Sequence, residues 1–401
     1  MTEKLYYIDS HMKTFTATVL ACEPVKDRYE VVLDRTAFFP EGGGQAGDSG
    51  FIGDTAVFDT HEKNGDVMHY VNQPIPVNST LDCRIDWEKR FRRMQNHSGE
   101  HIVSGLVHKK YGYSNVGFHM GAEFVTIDFD GFLTPEQLAE IEREANYAVA
   151  ANYKVTASFP EPEVLKTLDY RSKLELTENV RIVEIENTDI CACCAPHVSS
   201  TAEVGLVKIL SSERRRRSGD GVRVTMLCGL DAYENYTRTH DNNAAISMLL
   251  SARREETAAA VERVLAEQER LKQRNAELSR ALAHLRAETL EPTDGNIIIF
   301  DTVLDEPALR EFVNEAVTKC GGLAAVFSGS DEAGYRYIIG SRKIDLRASA
   351  KEINSGINGR GGGSREMIQG SCPDSGSSEM IQGSCKESAE NIQKFLSIYN
   401  I

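Results

Sequence analysis

The chain has 401 residues, 41% hydrophobic and 26% charged, enough for two or three domains with separate cores and the balance of a soluble globular protein. No stretch approaches the apolar length that spans a bilayer, and Met1-Thr2-Glu3-Lys4 lacks the basic start and apolar core of a signal peptide, so a cytoplasmic location is expected. A formal net charge of −15 excludes a uniformly basic nucleic-acid binder, yet a local run such as Arg214-Arg215-Arg216-Arg217 can still set the field that phosphates meet.

Residues 1–90 read as β-rich. Thr14 to Cys22 and Tyr29 to Asp34 alternate with period two, and Val57-Phe58 and Val67-Met68-His69-Tyr70 flank the turn pair Asn64-Gly65. Short strands at this density predict a small barrel. Residues 91–238 mix helix and strand. Arg90 to Lys110 has helical spacing with Phe91, Met94, Ile102 and Leu106 as its apolar side, and Pro135 to Ala150 is a second helix. Phe124 to Phe129, Val180 to Ile185 and Val204 to Ile209 read as strands.

Residues 239–290 contain neither Gly nor Pro and predict one long helical spacer. Val264, Leu271, Leu278 and Leu285 recur every seven residues, while the other seam holds Val261, Gln268, Asn275 and Leu282. That pattern suits a helix paired with another helix or with a second subunit. Residues 291–401 return to β-α-β logic, with strands at Ile297 to Phe300, Leu323 to Phe327 and Tyr335 to Ile339 and a helix around Leu309 to Lys319. Near the end, Gly359-Arg360-Gly361-Gly362-Gly363-Ser364 precedes an imperfect duplication, Glu366 to Cys372 and Glu379 to Cys385, read as a lengthened loop. The fold class expected is α+β, with a small barrel, a mixed domain, a helical spacer and a small α/β domain.

Two short stretches carry chemistry. His97-Ser98-Gly99-Glu100-His101 and Cys193-Cys194-Ala195-Pro196-His197 each place two metal-ligating side chains four residues apart, the spacing that in a helix puts both on one face. Imidazole and thiolate are donors that Zn²⁺ prefers, so together they read as one split zinc site. Nine cysteines, an odd number in a large chain without a signal, argue for reduced thiols and make the Cys191, Cys193, Cys194 cluster metal-binding or catalytic. The order H-S-G-E-H puts Glu100 at the wrong helical offset for a zinc protease. Upstream, Thr36 and Gly42-Gly43-Gly44-Gln45 form a loop whose glycines let backbone N–H groups approach a ligand, with neutral hydrogen-bonding groups at either end. It is neither a Walker loop nor a dinucleotide fingerprint.

Taken in order, Thr36 with Gly43-Gly44-Gln45, His97/His101, Cys193/His197 and Thr201-Ala202-Glu203-Val204-Gly205 resemble the editing domain of alanyl-tRNA synthetase and its freestanding, long-form AlaX-type relatives. The resemblance spans nearly the whole chain, with 91–238 as the zinc-binding editing domain and 291–401 like the synthetase's C-terminal domain. It implies hydrolysis of tRNA(Ala) wrongly charged, chiefly with serine and secondarily with glycine, because a pocket for a small apolar side chain rejects an added hydroxyl poorly. It implies that Thr36 senses the serine hydroxyl and that Gln45, with the Gly43 and Gly44 amides, orients substrate or water. Zn²⁺ would sit on His97, His101, Cys193 and His197.

The family's usual C-x-G-T-H appears here without its Gly-Thr and with thiols at Cys191 and Cys194, which leaves open which cysteine ligates; Cys193 keeps the spacing to His197. With four protein ligands no position remains for water, and hydrolysis would fall to a water held by Gln45 and the loop. The tRNA acceptor end would meet Arg92, Arg93, Arg214, Arg215, Arg216, Arg217 and Arg360, and the spacer and C-terminal domain would grip tRNA or form a homodimer. The alternatives are a zinc-stabilised carrier of aminoacyl-tRNA without catalysis and an editor of another mischarged tRNA. The Asp-His-His signature of phosphoesterases with a related C-terminal domain is not in the chain.

Overall fold

The computed structural model describes residues 1–172, 179–215, 221–343, 345–362 and 379–398. They divide into two units, Met1–Ala245 and Ile246–Ile401. In the first, β1 (Glu3–Lys4), β2 (Thr14–Val25), β3 (Arg28–Leu33), β4 (Arg35–Thr36), β5 (Gly50–Ile52), β6 (Thr55–Lys63), β7 (Asp66–Val71) and β8 (Thr80–Ile85) come first. Six of them close a barrel in the order β2-β3-β7-β6-β5-β8, and β1 pairs in parallel with β4. Closure leaves the barrel no free edge. Its interior is filled by alternate residues, among them Val19, Val31, Leu33, Phe38, Ile52, Val57 and Val71. The β6–β7 hairpin turns on Asn64 and Gly65, both at positive φ, as a two-residue hairpin loop demands.

After the barrel come α1 (Trp87–Tyr111), β9 (Asn115–Met120), β10 (Val125–Phe129), α2 (Pro135–Ala151), β11 (Val155–Ser158), α3 (Pro162–Leu165), β12 (Ile182–Ile185), β13 (Asp189–Ala192), β14 (Val207–Arg214), β15 (Val222–Cys228) and α4 (Gly229–Leu250). Antiparallel sheets β14-β15-β10-β9 and β11-β12-β13 face the central helix α1. Asp86 caps that helix by accepting the Lys89 amide, and Gly112 at φ 71° ends it. The expected one-sided apolar stripe is too narrow a description, since every residue from Met94 to Gly105 is buried. Helix α1 packs against α2, β9, β13 and β15 on different sides, so polar positions between the apolar ones are enclosed as well. The expected strand from Val204 begins later. Thr201–Val204 is a 3-10 turn, and Gly205 at φ 75° redirects the chain into β14.

Gly105 lets β13 approach. A Cβ there would stand 2.6 Å from the Thr188 carbonyl oxygen and from the Asp189 Cβ. Gly105→Ala should therefore push β13 off the helix and cost about 1–3 kcal/mol in urea unfolding. An unchanged denaturation midpoint would mean that β13 has room to spare.

The second unit contains α5 (Thr257–Glu288), β16 (Ile297–Asp301), α6 (Glu306–Ala316), β17 (Leu323–Ser330), β18 (Gly334–Ser341), α7 (Leu346–Gly356), β19 (Gly359–Gly362), β20 (Glu379–Cys385) and α8 (Ala389–Ile398). The single long helix expected over 239–290 is two helices. Ser251 takes φ 49°, the Ala252 amide bonds back to the Ser247 carbonyl, and the Ser247 hydroxyl caps the Ala252 carbonyl at 2.6 Å. This closure ends α4 without Gly or Pro. On α5, Ala283 and Ala287 pack against α6. The β16-α6-β17 unit is parallel, as β-α-β logic requires, and the sheet continues antiparallel in the order β16-β17-β18-β20-β19. Glu379 to Cys385 is thus not a loop: β20 supplies the ladder between β18 and β19. The first copy, Glu366 to Cys372, lies outside the described residues, as do Gly363 and Ser364.

Candidate active site

His97 and His101 project from adjacent turns of α1, while Cys193 and His197 come from the chain that leaves β13. Their ligand atoms all lie within 4.8 Å of one another. Cys193 Sγ is 3.5 Å from His97 Nε2 and 3.4 Å from His197 Nε2. The three imidazoles touch one another, with ring centroids 4.6 to 5.4 Å apart.

Each imidazole is oriented from behind. His97 Nδ1–H donates to Gln45 Oε1 at 3.1 Å and His101 Nδ1–H to Asp189 Oδ2 at 3.0 Å, while His197 Nδ1 lies 3.0 Å from Ser98 Oγ. Gln45 and Asp189 present oxygens, so the hydrogen sits on Nδ1 and Nε2 is left to face the cluster. Arg171 grips Asp189 with two bonds of 2.7 Å and keeps its carboxylate charged. Arg181 holds the ligand loop by donating to the carbonyls of Cys193 and Ala195.

The thiols differ. Burial would raise Cys193, but the adjacent His97 and His197 outweigh it and hold it well below the usual thiol range. Burial pushes the Cys191 thiol up, and Cys194 is exposed. Burial takes His197 down to about 3, so it stays a neutral imidazole. Burial would lower His101, but the Cys191 and Cys193 sulfurs and the Asp189 carboxylate outweigh it and hold it well above the usual imidazole range. Thiolate and imidazole together are the donor set of a soft divalent ion. Cys191 belongs to a second group with His101 and Asp189, and it shares His101 with the first. Glu100 is also buried here, its Oε1 held by Ser104 and Asn115 and its Oε2 3.9 Å from His101 Nε2.

The glycine loop reaches this cluster through Gln45. Its base is fastened by Asp48, which accepts the Phe39 amide at 2.7 Å and forms a fully buried ion pair with Arg90 of α1. Arg90 also donates to the Ala37 and Ser10 carbonyls. Gly44, at φ 83°, has no room for a side chain, because a Cβ would meet the Phe118 ring at 2.6 Å. Phe118 in turn lies against His97 at 4.8 Å. Gly43 backs onto the Cys194 sulfur. Gln45 Nε2 is buried without a hydrogen-bond partner among the described residues, although Oε1 of the same amide is engaged by His97.

Thr36 is placed differently from the other candidates. It is fully buried, its hydroxyl bonds to His69 Nε2 at 2.8 Å and to the Phe38 amide, and it bonds to none of the four cluster residues. Burial lowers His69 to about 4, so its Nδ1–H serves the Val31 carbonyl and its Nε2 accepts the Thr36 hydrogen. Only a lone pair of Thr36 remains to receive a donor.

Among the arginines, Arg92 is bound by Asp231, Glu234 and Glu88, and Arg93 by the carbonyls of Ala46 and Gly47. Arg215 lies 3.6 Å from Asp128, and Arg214 lies over the Phe132 ring. Arg216 and Arg217 fall outside the described residues. Arg360 is exposed on β19 of the second unit. The sequence reading missed Asp189, Ser98, Arg171 and the Asp48–Arg90 pair. The one signal for Asp189 was a carboxylate standing two residues before the cysteine cluster.

Two family models match: "Threonyl and Alanyl tRNA synthetase second additional domain" over residues 180–223, and "tRNA synthetases class II (A)" over residues 4–89. The alanyl-tRNA editing protein Aarsd1 of Rattus norvegicus is 27% identical over 384 residues, covering 90% of this chain and 92% of its own. The alanyl-tRNA editing protein AlaX-L of Pyrococcus horikoshii is 28% identical over 390 residues, covering 92% and 94%. An alanine-tRNA ligase of Ignicoccus hospitalis is 30% identical over 375 residues, which are 90% of this chain and 40% of the ligase. The two editing proteins are matched over more than nine-tenths of their own length and the ligase over less than half, and the cluster of His97, His101, Cys193 and His197 lies inside the matched span: the chain is a homologue of the alanyl-tRNA editing proteins over about 90% of its length.

Proposed function

We propose that this chain hydrolyses the ester of tRNA(Ala) mischarged with serine, and with glycine, releasing the amino acid and intact tRNA. The observation that carries this reading is Gln45: its Oε1 orients a cluster histidine while its Nε2 is buried and, among the described residues, unpartnered. A buried donor without an acceptor costs about 1–3 kcal/mol, so the site is built for an oxygen that arrives with the substrate. In the reaction a water oxygen bonds to the ester carbonyl carbon, the bond to the ribose oxygen breaks, and that oxygen takes up a proton. Gln45 Nε2 holds the water or the carbonyl oxygen, and the Gly43 and Gly44 amides supply further donors.

His97, His101, Cys193 and His197 would hold Zn²⁺. Zn–N near 2.0 Å and Zn–S near 2.3 Å at a tetrahedral angle separate N from S by about 3.5 Å, which the 3.4 and 3.5 Å spacings support. Bound there, the ion supplies positive charge that fixes the aminoacyl-adenosine end. The test is deacylation of seryl-tRNA(Ala) beside alanyl-tRNA(Ala), with and without chelator. Metal-dependent loss of serine with alanine spared is expected; tight binding without hydrolysis would replace the enzyme with a carrier.

Thr36 accepts the serine hydroxyl through its remaining lone pair. Thr36→Val should leave the metal bound and reduce the serine-over-alanine ratio about tenfold, while the unpaired His69 costs about 1–3 kcal/mol in stability. An unchanged ratio in competing deacylation assays ends this role.

Arg214, Arg215, Arg216, Arg217 and Arg360 meet the tRNA backbone. A second copy pairs through α5, where Val264, Leu271, Leu278 and Leu285 are 53 to 59% exposed in one heptad row. Sedimentation should give a dimer that Leu271→Glu with Leu278→Glu reduces to monomer. A wild-type monomer would remove the pairing.

A further inference from the structure

Beyond Gln45 the chain runs through Gly47 to Gly50 along one wall of a cavity of about 650 Å³. Arg84, Lys89 and Arg93 and the rings of Phe51, Phe58 and Trp87 line it. Its one carboxylate, Asp86, is occupied as the cap of α1 and as the partner of Lys89 at 2.9 Å. Arg84 is exposed, lies 4.1 Å from the Phe51 ring centroid and has no ion pair among the described residues. Lys13 adds a fourth cation, 4.6 Å over Trp87. Phe58 is 50% exposed. In a chain of net charge −15, this concentration of cations around aromatic rings sets the wall apart.

The cavity is continuous with the active-site loop. Arg93 donates to the Gly47 carbonyl at 2.8 Å and to that of Ala46, the two residues that follow Gln45. Gln45 and Gly47 are thus separated by at most about 7 Å of chain.

We propose that this cavity binds the unpaired 3′ strand of the substrate RNA, the nucleotides just before the terminal aminoacyl-adenosine that enters at Gln45. The proposal rests on the deacylase reading for its substrate. Single-stranded RNA is gripped by cations that follow its phosphates and by aromatic faces on which its bases stack. Arg84 and Lys89 take the phosphates, Phe58 and Phe51 take the bases, and Arg93 keeps the wall in register with Gln45. Base stacking of this kind tolerates any sequence, so identity must be read elsewhere on the tRNA.

The test uses the full chain and two fluorescent RNA hairpins of the tRNA(Ala) acceptor stem, one with its unpaired 3′ overhang and one blunt. The double variant Arg84→Ala, Lys89→Ala should lose at least about tenfold in affinity for the overhang hairpin, with blunt-hairpin affinity changing less than about twofold. Two lost contacts to a single strand should also flatten the slope of log affinity against log salt by about 1.4. Phe58→Ala, an exposed position where folding is not at risk, should cost about fivefold or more on the overhang alone. Unchanged overhang binding, or equal loss on both hairpins, overturns the proposal. Binding is read without hydrolysis: an inactive wild-type chain that prefers the overhang defeats the deacylase reading and keeps the cavity, and an active chain without that preference does the reverse.

Discussion

Asp48→Ala should lower stability by about 3–5 kcal/mol, read as a shift in the urea midpoint. The Asp48 and Arg90 side chains are 1% and 0% exposed, and Arg90 spends its remaining donors on the Ala37 and Ser10 carbonyls. Truncating the carboxylate strands a guanidinium in the interior and frees the Phe39 amide, which Asp48 Oδ2 now accepts. Because that bond ties down the base of the Gly42 to Gln45 loop, the deacylation rate should fall as well, while metal content stays at the wild-type level. Replacing both partners by apolar residues removes the stranded charge, so Asp48→Leu with Arg90→Leu should recover part of the stability without restoring the loop. A loss below about 1 kcal/mol for Asp48→Ala would show that water reaches Arg90, and the account of the loop's anchorage would fail.

The same pair marks the limit of what the sequence could disclose. A charged residue inside an apolar periodicity reads as a surface position, and Arg90 sat beside Phe91 with nothing to single it out. The His97/His101 half of the site was legible because a spacing of four residues on a helix converts directly into a shared face, whereas Cys193 and His197 stand in the irregular chain after β13, where that spacing implies no shared helical face. The hairpin at Asn64-Gly65 was legible because few residues accept positive φ twice in succession. The partners that orient the histidines were not, since Asp189 reaches His101 only through the packing of β13 on α1 across Gly105. The end of α4 was hidden for a related reason, because its closure uses Ser247 and the Ala252 backbone and composition shows neither Gly nor Pro there. Strand β20 was hidden because a Gly-containing duplication has no alternation strong enough to announce a ladder. Thr36 shows a further limit: its residue type suits hydroxyl sensing, but the commitment of its hydrogen to His69, which leaves it only as an acceptor, depends on packing across the barrel.

His101→Ala should abolish metal retention and lower the rate of seryl-tRNA(Ala) hydrolysis by at least about 10²–10³-fold, the scale on which loss of preorganised charge at a reaction centre is felt. The argument runs through both ring nitrogens. One ring nitrogen of His101 is among the atoms gathered within 4.8 Å, and Nδ1 is tied to Asp189, itself fastened by Arg171, which leaves Nε2 for the cluster. Asp189→Asn keeps the shape and an oxygen for His101 Nδ1–H but removes the charge behind the ring, so it should weaken metal binding about 10–100-fold and leave a measurable rate. Protonation gives the same ordering an independent readout. Asp189 is held down to about 2, against the pull of burial, by His101 and Arg171, and so remains a carboxylate wherever the folded chain is assayed. A metal held there would have to displace a proton from the cluster, because Cys193 would ligate as thiolate and each histidine through a bare nitrogen. Metal retention should therefore fall as pH drops, and in Asp189→Asn that fall should begin at higher pH, since the ring without its carboxylate is the weaker ligand. Metal analysis after dialysis across pH, beside deacylation rates on the same samples, checks each step. A His101→Ala protein that keeps one equivalent of metal and the wild-type rate would place the reaction away from these four residues, with Gln45 left to account for it alone.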